Sequence, residues 1–257
     1  MEFETKKVTC PHCQKQQNIV VYPSINITLN PEIKDDVISA SIFTKLCKYC
    51  GGSFEIRHPV LYNDMERRFL VYYIPDIDSS RIIDTALEED YDSLKYVKRR
   101  IVPDYDTFRE KIHILESGLD DMAIEITKLA VLNVVKKKED CEIIKGTFSF
   151  CYQEKNTIGF EFETSNGPYC QSTRMEVYHK AEYIVRKTAG LDSSMTGFLK
   201  IDSNWAENML HRFKVREEKR RQYLEQEKEN TDPIEIALSI DSEIMNEAQT
   251  DRSKTNG

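Results

Sequence analysis

Apolar and polar positions alternate along "QNIVVYPSINITL" (residues 17–29), a two-residue period that predicts extended chain. "NPEIKDDVISASIF" (30–43) predicts a short helix, with Asn30 as its N-cap and Pro31 at its first position, where a missing N–H costs nothing. "SFEIRHPVLYND" (53–64) and "ERRFLVYYIP" (66–75) predict two strands joined by a turn. Residues 75–103 read as a connector bounded by Pro75 and Pro103, with Tyr91, Leu94 and Val97 as its docking positions. "KYVKRR" (95–100) and "VREEKRR" (215–221) read as solvated helix faces. Helical spacing returns at Phe108, Ile112 and Leu115, ending at Gly118 as a C′ cap. A longer helix follows from Leu119 to about Lys138, capped by Asp120, with Ile124, Ala130 and Val134 among its apolar positions.

Between 143 and 187, "GTFSFCYQ", "TIGFEFET", "RMEVYHK" and "EYIVRKT" are short alternating segments rich in aromatic and β-branched residues. They predict a small antiparallel sheet packed through Phe148, Phe150, Ile158, Phe160 and Phe162, with "QEKNT" and "SNGPYCQS" as turns. A final helix starts at Asp202 or Ser203 and carries Trp205, Met209 and Phe213 along one side. One weak amphipathic segment is expected around Ile236–Met245, and disorder beyond Gln249. The class is α+β: an N-terminal zinc-ribbon-like four-cysteine module with a hairpin and short helix, followed by helices and a small antiparallel sheet. The expected organisation is 1–75 as the metal-binding module and 76–139 as a connector and helical segment packed on it. Residues 140–230 hold the sheet and long helix, and 231–257 a weakly ordered tail.

The chain has 257 residues and a formal net charge of -8. The acidic balance argues against nucleic acid as a partner and leaves protein as the expected one. The apolar runs fall short of the roughly 18 residues that mark a membrane span, and "MEFETKKVTC" lacks a signal-peptide core. The expected compartment is therefore the cytoplasm, where paired thiols favour metal or redox chemistry over stable disulfides.

Two C-x-x-C pairs stand out: Cys10/Cys13 and Cys47/Cys50. A two-residue spacer lets one tight turn place both sulfurs on one ion, and four thiolates suit tetrahedral Zn2+. Gly51 and Gly52 follow the second pair; Gln14 follows the first where such turns often carry Gly, so that knuckle is expected to be slightly irregular. Iron would use the same four sulfurs and is the lesser alternative. A thiol–disulfide enzyme would place one pair at a helix N-terminus, which neither pair does. Four cysteines fill the shell and make the site structural, with His12 a pendant surface side chain and His58 structural.

"VTCPHC", the stretch from "SINITLNPEIKDD" through "LCKYCGGSFEIRHPVLYNDMERRFLVYYIP", and "EKIHILESGLDDMAIEITK" (110–128) resemble the CpXC domain family, together over roughly residues 6–130. The resemblance implies that Cys10, Cys13, Cys47 and Cys50 are the family's four cysteines, and that this is a metal-holding module of a bacterial cytoplasmic protein. Lys48 stands where the family often has Pro. The resemblance carries over no biochemical activity.

The other candidates are acidic. Asn63, Asp64 and Glu66 are expected to form a hairpin turn whose side chains cap backbone amides, or else an acidic patch for a partner. Glu110, Asp121 and Glu125 are expected on caps and solvated helix faces; acid–base catalysis or a hard-cation site is the alternative. Cys141, Cys151 and Cys170 lack metal spacing, and His179 lies near none of them. The favoured function is a zinc-stabilised binding or scaffold protein. Its rivals are an enzyme assembled from Asp64, His58, Glu110, Asp120 and Asp121, and a nucleic-acid-linked regulator.

Overall fold

The structure, a computed structural model, describes residues 2–77, 96–188 and 197–230. Tyr91, Leu94 and the segments expected beyond residue 230 lie outside the described residues. The described residues up to 210 belong to one compact unit, and the helical residues 211–230 belong to a second.

The class is α+β. The strands are β1 (Glu2–Thr9), β2 (Gln16–Asn26), β3 (Thr44–Leu46), β4 (Ser53–Glu55), β5 (Val60–Asp64), β6 (Phe69–Tyr73), β7 (Lys98–Val102), β8 (Ile143–Tyr152), β9 (Thr157–Thr164) and β10 (Gly167–Arg174). The helices are α1 (Lys34–Ile38), α2 (Tyr105–Glu116), α3 (Asp121–Glu139), α4 (Met175–Thr188) and α5 (Ser203–Asn230).

A five-stranded mixed sheet has the order β1-β2-β5-β6-β7. β2 runs parallel to β5, and β6 parallel to β7, while β1/β2 and β5/β6 are antiparallel. The alternation in β2 is realised: Gln17, Ile19 and Val21 point inward while Asn18 and Val20 face out. The chain between β2 and β5 contains α1 and the small β3/β4 hairpin. Pro31 begins a 3-10 turn, as its fixed φ favours, but the Asn30 side chain makes no cap bond and its buried Oδ1 has no partner. Asn30 is therefore not the predicted side-chain cap.

Three further expectations are corrected. Lys98–Val102 is a strand, not a solvated helix face, and Arg100 within it is buried. β-Branched Ile101 and Val102 suit that strand, and Leu199 bridges along its free side. In the second half, "SNGPYCQS" falls largely in β10, which pairs with β9, while "RMEVYHK" and "EYIVRKT" join into helix α4. Buried Met175, Tyr178, Ala181 and Val185 fall at helical spacing, a period that the many β-formers masked. Third, α3 buries Val131 and Val135, while Ala130 and Val134 face solvent.

β8, β9 and β10 form an antiparallel meander, whose Phe148, Ile158, Phe160 and Phe162 pack with α3 and α4. The five-stranded sheet builds a separate core with α1 and α2 around Phe43, Tyr62, Tyr73 and Phe108. Gly118 ends α2 with φ +73°, and Asp120 caps α3 by accepting from the Met122 N–H at 2.9 Å.

Candidate metal centre

The first C-x-x-C lies at the tip of the β1/β2 hairpin and the second at the tip of β3/β4. Their four Sγ atoms all lie within 4.8 Å of one another. Across the hairpins, Cys10–Cys50 is 3.8 Å and Cys13–Cys47 is 3.6 Å. Sulfurs about 2.3 Å from one tetrahedral ion stand about 3.8 Å apart, so the cage fits such an ion. Among the described residues no group of carboxylates closes in this way.

The two tips are matched. The Cys10 N–H donates to Lys15 O and the Gln14 N–H to Cys10 O. At corresponding positions, the Cys47 N–H donates to Gly52 O and the Gly51 N–H to Cys47 O. Gln14 adopts φ +61° and Gly51 φ +70°, so the first knuckle is regular despite lacking Gly. The Gln14 amide donates to Pro11 O at 3.1 Å, which holds the turn from the side.

The environment favours thiolate at one ligand. Burial pushes the Cys47 thiol up, but the Tyr49 and Cys50 N–H groups and the Cys10 and Cys13 thiols pull it down to about 6. At Cys50 the Gly52 N–H favours the anion, while burial and the three other sulfurs drive it up to about 12. Four empty thiols cannot all ionise together; a divalent cation removes that conflict. The Lys15 and Lys48 ammonium groups, one from each knuckle, lie 5.2 and 5.0 Å from the Tyr49 ring.

His12 is exposed and its Nε2 pairs with Ser53 O at 2.9 Å. It lies over Gly52, where an added Cβ would stand 2.7 Å from its ring. Cys10, Cys47 and Phe54 make a small core beneath the cage. Gln17 escaped the sequence reading. Its signal was an amide in the inward row of Ile19 and Val21.

The acidic candidates separate into two places. Asp64 is fully buried, caps the Arg67 N–H at 3.0 Å and pairs with the Arg67 guanidinium at 2.9 Å, so the turn uses it internally. His58 is buried, with Nδ1 3.0 Å from Pro59 O and Nε2 without a partner. Glu110, Asp121 and Glu125 are not solvated: all three are buried, joined by buried Arg100, Lys111 and Lys128. Arg100 Nε and Nη2 reach Asp121 at 2.7 and 2.9 Å. Lys111 links Asp121 at 3.4 Å to Glu125 at 3.0 Å, and Lys128 links Glu125 at 3.1 Å to Glu110 at 3.0 Å. Glu110 also accepts the Phe148 N–H at 2.6 Å. Three cations and three anions thus alternate from β7 through α2 and α3 to β8, each charge compensated by its neighbours. Burial opposes ionisation of Asp121, but Arg100 and Lys111 hold its carboxyl well below the usual range. Glu110, Glu125 and Lys128 border a cavity of about 360 Å³ walled by Leu129, Leu132 and Ile143.

Cys141, Cys151 and Cys170 are free and spread over the second sheet region, away from the cage residues in the pairing pattern. Among the described residues no helix is long and apolar enough to cross a membrane. The family model described as CpXC protein matches residues 8–128, just under half of the chain and including all four cage cysteines. No curated protein matches the chain. No solved structure matches it either.

Proposed function

We propose, from the premise that residues 8–128 are a CpXC-family segment, that this chain is a zinc-stabilised binding or scaffold protein with a protein partner. Its cysteine cage is a structural centre. The observation that carries this is the mutual approach of Cys10, Cys13, Cys47 and Cys50 within 4.8 Å, each offering one sulfur. Four thiolates complete a tetrahedral shell and leave no open position for a substrate. The matched knuckles and the N–H groups directed at sulfur support zinc over a dithiol redox pair, because neither pair starts a helix. Zn2+ would offset half the charge of the four thiolates and clamp two hairpin tips that share only a small apolar core.

A protein partner is favoured by the formal charge of -8 and by the edge hairpin. β1 ends the five-stranded sheet, and Phe3 within it is 68% exposed. The cytoplasm suits free thiols at every described cysteine.

The decisive experiment is elemental analysis of protein purified without added metal, followed by chelation and thermal denaturation. One Zn2+ per chain, and a lower melting temperature on its removal, is expected. Iron in its place, no stoichiometric metal, or unchanged stability after chelation overturns the reading.

A second reading, an enzyme using acid–base chemistry, draws on Glu110, Glu125 and Lys128 beside their cavity. It requires a small molecule that raises the melting temperature of the wild type and loses that effect in Glu110→Gln.

A further inference from the structure

Gln17 stands where the two cysteine hairpins meet. It lies on β2, one strand in from the sheet edge, and is 4% exposed. Its Nε2 donates to Leu46 O at 3.2 Å, and its Oε1 accepts the Lys48 N–H at 2.8 Å. These two backbone groups flank Cys47. The amide thus acts as one residue of a third strand, satisfying a donor and an acceptor that the β3/β4 hairpin does not pair itself.

We propose that Gln17 is the positioning residue of the metal centre: it holds the second knuckle in register with the first, so the cage is preformed before the ion arrives. This rests on the metal-binding reading above. Cys10 and Cys13 are placed by the β1/β2 hairpin to which Gln17 itself belongs. Cys47 and Cys50 sit on a two-stranded ribbon with three residue pairs, too short to be rigid alone. A buried amide whose nitrogen and oxygen are each bonded is costly to strand, so it favours one placement of its partners. Its position then fixes Lys48 and, through the same turn, the neighbouring N–H of Tyr49, which lies 3.4 Å from Cys47 Sγ. Hydrogen-bonded supports of this kind typically govern metal affinity by about 10–100-fold.

Two substitutions separate the clamp from mere filling of space. Gln17→Met keeps length and removes both bonds; Gln17→Glu keeps the acceptor for Lys48 and loses the donor to Leu46. The full-length chain, stripped of metal, is titrated with Zn2+ against a competing chelator, and separately with Co2+ to read the tetrathiolate visible spectrum. Hydrogen exchange of the Lys48 amide is followed in the Zn2+-loaded protein. Gln17→Met is expected to weaken Zn2+ binding about 10–100-fold while the saturated Co2+ spectrum stays tetrahedral. Its Lys48 amide should exchange faster, with amides in β9 unchanged. Gln17→Glu, which sets a second buried oxygen against Leu46 O, should weaken binding at least as far as Gln17→Met while keeping Lys48 protected. Equal Zn2+ affinity for wild type and Gln17→Met overturns the clamp and leaves the metal reading intact. Failure of the wild type to bind Zn2+ or Co2+ overturns both. A variant that loses β9 protection along with affinity also counts against the proposal, because the effect is then global.

Discussion

Arg100 on β7 grips Asp121 at the first turn of α3 through two parallel hydrogen bonds of 2.7 and 2.9 Å, with both side chains out of water. The pair ties the five-stranded sheet to the helix that carries the second sheet. Its desolvation is offset by Lys111 on the far side of Asp121 and by the further pairs to Glu110. Removing one partner strands a charge. Asp121→Leu should cost about 3–5 kcal/mol, and Arg100→Met a similar amount. The double variant should be less destabilised than the sum, because neither charge is left alone. A thermodynamic cycle by urea denaturation checks this; additive losses would mean the pair does not couple.

The contrast between this network and the cysteine cage shows what a sequence displays. Cys10, Cys13, Cys47 and Cys50 are legible because metal chemistry fixes residue type and local spacing together. Asp120 and Gly118 are legible for a similar reason: a cap acts on its own helix end. Arg100, Lys111, Glu125 and Lys128 are not, because a polar residue on a helix or strand reads as solvated until another element covers it. Their partners lie 14 or more residues away in the Arg100–Asp121, Lys111–Glu125 and Lys128–Glu110 pairs. Helix α4 failed for another reason. Val177, Tyr178, Tyr183, Ile184 and Val185 have strand propensity, yet the burial of Met175, Tyr178, Ala181 and Val185 follows a helical face against α3. Tertiary contact overrode local preference there.

The first knuckle offers a stabilising change. Gln14 holds a left-handed φ of +61°, a conformation that costs a residue with a Cβ about 1–2 kcal/mol. Gly relieves that strain but loses the bond to Pro11 O and gains freedom in the unfolded chain. The balance predicts that Gln14→Gly raises stability by about 0.5 kcal/mol in the metal-loaded protein. Equilibrium denaturation should show a higher midpoint with an unchanged slope. A loss of stability would mean that the side-chain bond outweighs the backbone term.

His58 sets a pH dependence. Burial lowers its pKa; contact with Pro59 O opposes this, Lys6 and Lys45 add to the lowering, and Glu4 opposes it. Nδ1 faces the Pro59 carbonyl, so a second proton would fall on the unpartnered, buried Nε2. The unfolded chain therefore binds this proton more readily than the folded one. The neutral ring's contribution is fully present above the ordinary histidine value of about 6.5 and is lost as pH falls from there through the lowered folded value. His58→Phe, which keeps a ring against Phe43, should reduce the loss of stability between about pH 7 and 5 relative to wild type. Parallel acid titrations at fixed Zn2+ check it, since the cysteines are common to both proteins; identical acid limbs would exclude His58 as a source.

The second sheet carries a paired constraint between Phe150 on β8 and Gly159 on β9. The two are register partners, and an added Cβ at Gly159 would stand 2.3 Å from Phe150 Cε1. The ring therefore covers the glycine backbone, which compensates for a residue that otherwise weakens a strand interior. Gly159→Ala must expel the ring or push β9 away from β8, and overpacking of this kind typically costs about 1–3 kcal/mol. Phe150→Ala removes the cover and exposes the glycine backbone, so it too should destabilise. In Phe150→Ala/Gly159→Ala the alanine Cβ fills the space the ring leaves. The double variant should then be more stable than Gly159→Ala alone, although its side chains bury less apolar surface. Thermal denaturation of the four proteins at saturating Zn2+ decides the matter. If adding Phe150→Ala lowers the stability of Gly159→Ala further, the close approach of ring and glycine does not govern this sheet.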